Sequence, residues 1–122
     1  MNDPVDAREP PKQALEDAVR QVLIVLAPGH YKELHDLTAG RRLPAEEISD
    51  AVESYGRTIV KPPFDLGQID SVYITDSVPS SWSVWHQVWT REEGRSDLTI
   101  EVTVTEVEPG RLAVELDGIE VP

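Results

Sequence analysis

The chain has 122 residues, a formal charge of −12 and no cysteine. That length suits one domain with its own core, and the lack of thiols excludes disulfides and thiolate metal sites. The longest aliphatic run, Val22 to Ala27, falls far short of the ~20 apolar residues that a membrane-spanning helix needs. The first ten residues lack the basic start and apolar stretch of a secretory signal, so a cytoplasmic protein is expected.

Residues 1–11 are rich in proline and charge, with Val5 the only bulky apolar side chain. They are expected to form a disordered tail, with a single domain over 12–122. Pro10 and Pro11 suit the start of a helix, where the first turn has no N–H partner to lose. From Lys12 to Leu26, the residues Leu15, Ala18, Val19, Val22, Leu23 and Leu26 recur at helical spacing and predict one amphipathic helix. Ala27-Pro28-Gly29 should end it.

A second helix is expected over about 30–38, burying Tyr31, Leu34 and Leu37, with Gly40 as its left-handed cap. A third should begin near Pro44 and bury Ile48, Ala51, Val52 and Tyr55. Glu46 and Glu47 favour its dipole, and Gly56 closes it.

Thr58-Ile59-Val60 looks extended. Lys61-Pro62-Pro63-Phe64-Asp65 cannot be regular structure, because its prolines lack donors. Beyond this point the apolar period changes from 3.6 to 2. Strands are expected over 71–75, 82–90, 98–106 and from Leu112 toward Val121, with a polar connection over 91–97 and a turn at Glu108-Pro109-Gly110-Arg111. Leu98, Ile100, Val102 and Val104 should face the helices. Thr99, Glu101, Thr103 and Thr105 should face solvent or a partner. Helices first and hairpin-linked strands afterwards predict an α+β fold, with N-terminal helices packed on one face of a curved, mainly antiparallel sheet.

No nucleophile elbow, phosphate loop, zinc-ligand set or calcium loop is present. No cofactor is therefore expected, and nothing in the sequence argues for an enzyme. His30 and His35 are five residues apart, about 140° round a helix, which is wrong for a shared metal. His86 lies among Trp82, Val84 and Val88 by alternation. It could be a general base, a core histidine satisfied by a backbone carbonyl, or a histidine at the sheet edge.

The tryptophans carry the most unusual signal. Trp82, Trp85 and Trp89 fall within eight residues, and alternation puts Trp82 on one face with Trp85 and Trp89 on the other. Either they fill a core or they mark a partner surface or pocket lining, since aromatics are favoured at interface hot spots. Charge is also uneven: residues 65–122 hold 12 acids and 3 bases. Such a field repels nucleic acid and anionic membrane and attracts basic partners, although acidity also serves solubility.

Trp82-Ser83-Val84, Trp89-Thr90 and Glu92-Glu93-Gly94-Arg95-Ser96-Asp97-Leu98-Thr99 resemble a group of small uncharacterised bacterial proteins. Arg41-Arg42-Leu43-Pro44-Ala45-Glu46-Glu47 and Tyr55-Gly56-Arg57-Thr58 point the same way. Those proteins form a domain of unknown function, so the resemblance implies no activity, cofactor or catalytic residue. The element order is similar to nuclear-transport-factor-like cone folds, and small size with acidity is similar to toxin-immunity proteins.

The leading expectation is a non-enzymatic interaction protein. Trp82, Trp85, His86, Trp89 and Glu101 are its candidate binding residues. Its partner would be a basic protein, as for an immunity-type inhibitor, or a second copy of itself. The alternative is a cone-shaped domain, enzymatic or not, holding a small ligand between helices and sheet.

Overall fold

Among the described residues, three helices precede four strands: α1 (Lys12–Leu26), α2 (Tyr31–Leu37), α3 (Ala45–Tyr55), β1 (Asp70–Tyr73), β2 (Ser81–Thr90), β3 (Gly94–Glu108) and β4 (Arg111–Glu120). The computed structural model describes residues 12–37, 43–109 and 111–122. The tail expected over residues 1–11, the cap expected at Gly40 and the turn residue Gly110 lie outside the described residues, as does the His35 side chain.

The apolar stripe of α1 buries Leu15, Val19, Val22, Leu23 and Leu26, as its 3.6-residue period requires. In α3 the stripe is shorter, and Ile48 and Val52 are its buried members. Gly56 ends α3 at φ 73°, a left-handed geometry that glycine adopts without a Cβ penalty. Its N–H closes the last turn on Val52 O.

The strands form one antiparallel sheet in the order β1-β2-β3-β4. Sheet and helices share one core, in which Leu15, Val22, Leu34 and Ile48 meet Trp82, Val84, Ile100 and Val102. This is the expected α+β layering. Leu98, Ile100, Val102 and Val104 all lie on the core side. Thr99 and Thr103 are on the opposite side, yet only 8 % exposed. They sit on an inner strand where flanking side chains cover them, and Thr103 Oγ1 donates to Asp117 Oδ2 at 2.6 Å.

Two element boundaries differ from expectation. The polar stretch 91–97 was expected to be a connection, but only 91–93 turn, and β3 already starts at Gly94. Ladder pairing overrides polarity here, because Trp89 and Thr90 pair with Arg95 and Gly94. A register shift then absorbs extra residues, and Ser96 Oγ bridges Val88 O and Leu98 N across it. The first strand runs over Asp70–Tyr73 rather than 71–75.

The outer edge of β2 is covered in two pieces. β1 pairs with residues 82–85, while Ile59 bridges Thr90. Val60 N bonds Trp89 O and Arg91 N bonds Thr58 O beside that bridge. Residues 61–69 make an excursion between the pieces, because Pro62 and Pro63 cannot donate to a ladder. Leu66 returns from the excursion into the core, at 1 % exposure.

Candidate functional site

Every buried residue of the helices belongs to the core built on one side of the sheet. Among the described residues, the other side carries no helix. Strand register lays out its side chains in rows. Asp70, Trp85, Glu101 and Gly118 form one row; Val72, Ser83, Thr103 and Glu115 form the next. Beside them stand Gln87 with Thr99 and Glu120, and Ser81 with Thr105 and Ala113. Asp117, at a register shift in β4, joins this side through its bond to Thr103.

The face is therefore acidic, with small hydroxyls between its carboxylates. Asp70, Glu101, Glu115, Asp117 and Glu120 stand on it, and none of the positions in its rows is Lys or Arg. Neighbouring carboxylates raise one another's potential, so such a surface attracts cations.

Trp85 stands in the middle of this face, half-buried. Its indole Nε1 donates to Glu101 Oε1 on the neighbouring strand at 3.1 Å. The pair borders a recess of about 90 Å³, completed by Thr99, Gly118, Glu120 and Pro122. Gly118 keeps the recess open: it lies opposite Glu101, and a Cβ placed on it would meet no atom within 4 Å.

Trp82 points the other way. It is 2 % exposed and makes an edge-on contact with Tyr73, ring centroids 6.0 Å apart. It serves the core. Trp89 falls in the same outward set as Trp85, but its ring stacks on His86 at 5.4 Å and packs against the core. Arg95 lies over that ring, its Cζ 5.8 Å from the centroid, while Nε and Nη2 both donate to Gln87 Oε1.

His86 is buried at 2 % exposure, with Nε2 3.0 Å from Leu66 O and Nδ1 2.9 Å from Gln87 O. A neutral imidazole has one N–H, so it serves one of these carbonyls at a time. Both ring nitrogens face backbone, and the geometry is that of a side chain pinning the 61–69 excursion to the sheet.

Two features escaped the sequence reading. Arg20 reaches from α1 to the tip of the excursion, donating to Pro63 O at 3.0 Å and to Phe64 O, and lies 5.8 Å from the Phe64 ring. Phe64 itself is 95 % exposed. Glu92 holds Thr58 through its N–H and hydroxyl, both at 2.8 Å. These bonds, with Arg57 adding a smaller pull, keep the Glu92 carboxyl below the usual carboxylate range. Lys61-Pro62-Pro63 signalled the loop, but nothing local in sequence names partners more than thirty residues away.

Among the described residues no group of three or more His, Asp or Glu is placed to hold a metal ion. No described helix is long and apolar enough to cross a membrane. A recess of about 440 Å³ opens between the start of α1 and the run from Gly67 into β1. It lies at the margin of the two layers, as do recesses of about 410 Å³ between Gln21, Leu37 and β4 and of about 200 Å³ between α1 and β4, while core side chains pack together at the centre.

A family profile described as Domain of unknown function (DUF7668) matches residues 24–122. The chain belongs to that family. The match begins near the end of α1 and takes in every strand, and hence the whole acidic face. No curated protein and no solved structure matches the chain.

Proposed function

We propose that this domain is a non-enzymatic binding module whose open sheet face receives a basic protein partner. One observation carries the reading: a sheet face that no described helix covers, acidic in every row that reaches β4 except one, with a half-buried tryptophan at its centre. A central aromatic with a polar surround is the arrangement of an interface hot spot. Complementary charge would speed the encounter and orient the partner, as an immunity-type inhibitor of a basic enzyme requires. A cytoplasmic location accords with this role.

The reading predicts a salt-dependent preference for cationic ligands. Labelled octa-lysine should bind at low ionic strength and weaken steeply as salt screens the face. Octa-glutamate should not bind. Equal binding of the two peptides, or binding indifferent to salt, would sink the proposal. The alternative of a small ligand held between helices and sheet has less support, because His86, its candidate polar group, is buried with both ring nitrogens against backbone carbonyls.

A further inference from the structure

The shape of the Trp85 recess, more than its charge, points to a particular side chain. We propose that the recess formed by Trp85, Glu101, Gly118 and Glu120 is an arginine pocket that anchors the partner; this rests on the open sheet face being the docking surface.

Three observations converge. First, its volume of about 90 Å³ suits a single planar end group and little more. Second, Glu101 and Glu120 both line the recess, and the bond from the indole N–H engages only Oε1 of Glu101. Two carboxylates beside an aromatic ring match a guanidinium, which stacks on the ring while its N–H fork bonds oxygen. An ammonium is a compact point charge and uses the flat ring less well. Third, the chain already contains this arrangement at Trp89, farther along β2. Arg95 lies over Trp89 and gives two N–H groups to Gln87 Oε1. Trp85 has the ring and the acceptors, and among the described residues no cation lies over it.

Gly118 offers a clean way to close the pocket. Its backbone is not in the left-handed region, and an added Cβ meets open space. Gly118→Val should therefore fill the recess without disturbing the strand. Glu101→Gln removes the charge but keeps a carbonyl for the indole N–H. Asp70→Asn, in the same row but on the far side of Trp85, removes one charge and leaves the recess intact.

The experiment is a titration of labelled octa-arginine and octa-lysine against the wild type and these three variants at one low salt concentration, with far-ultraviolet circular dichroism on each protein. Wild type should bind octa-arginine about tenfold more tightly than octa-lysine, the scale of one well-seated cation–π contact. Gly118→Val and Glu101→Gln should each remove that preference, and Asp70→Asn should weaken both peptides equally. If both peptides bind wild type alike, or the preference survives in folded Gly118→Val and Glu101→Gln, the pocket is overturned while the acidic docking face stands. If neither peptide binds, the docking face fails and the pocket with it.

Discussion

The indole Nε1 of Trp85 and the carboxylate of Glu101 are joined at 3.1 Å across β2 and β3, on the face of the sheet that no described helix covers. A tryptophan held this way is oriented by a polar bond rather than by a surrounding core. Its ring is thus available to a partner at little further cost in side-chain entropy.

That relationship separates two tryptophans three residues apart. Trp82 is 2 % exposed in the core, and Trp82→Ala should cost about 3–5 kcal/mol. Trp85→Ala removes a half-buried ring on the open face and should cost no more than about 1–2 kcal/mol. Urea denaturation of both variants checks the difference. Equal losses would place Trp85 in the structural core and remove it from the docking face.

His86 should act as a pin on the 61–69 excursion. His86→Ala leaves a cavity and strips the Leu66 carbonyl of its side-chain partner, and the two losses together should cost about 2–4 kcal/mol. Amide exchange should quicken most over residues 65–67. If exchange there is unchanged while stability falls, the histidine supports only the core.

Arg20 fixes the same excursion from the opposite layer. Arg20→Ala should lower global stability by only about 1 kcal/mol, because its bonds to the loop carbonyls are exposed. The loop itself should respond more. Proteolysis after Phe64 by chymotrypsin should become markedly faster, and Arg20→Lys should not restore protection, since one ammonium cannot reproduce the fork that spans two carbonyls. Unchanged cleavage in Arg20→Ala would show that the prolines alone set the loop.

Acid should release Thr58 later than it protonates ordinary carboxylates. Glu92 is held below the usual range first by the Thr58 N–H and then by the Thr58 hydroxyl. A carboxyl depressed by folding stabilises the fold above its unfolded pKa, and that contribution is lost as pH falls through the depressed folded value. The Thr58 amide resonance should therefore shift only below the ordinary carboxylate range, and Glu92→Gln should abolish the titration. A midpoint at or above the ordinary Glu value would contradict the clamp.

Much of the fold was readable because periodicity reports burial directly. The stripe from Leu15 to Leu26 and the alternation from Leu98 to Val104 each named the buried face correctly. The start of β3 was hidden because Gly94 to Asp97 are polar, and only the partner strand across the turn makes them a ladder. For the site, alternation separated Trp82 from Trp85, but the Trp89 ring on His86 depends on how the ends of the sheet pack. Gly118 falls within the strand expected from Leu112 toward Val121. Its value as a gap opposite Glu101 exists only once β3 and β4 are paired.

The most direct test of the acidic face as a docking surface is a nitrogen-15 correlation titration with octa-arginine at low salt. The account predicts shifts concentrated on outward positions of the four strands, led by the Trp85 indole N–H and the amides of Glu101 and Gly118, and reversed by raising the salt. The largest shifts falling on α1 and α3, or no shift at the Trp85 indole at saturation, would contradict it.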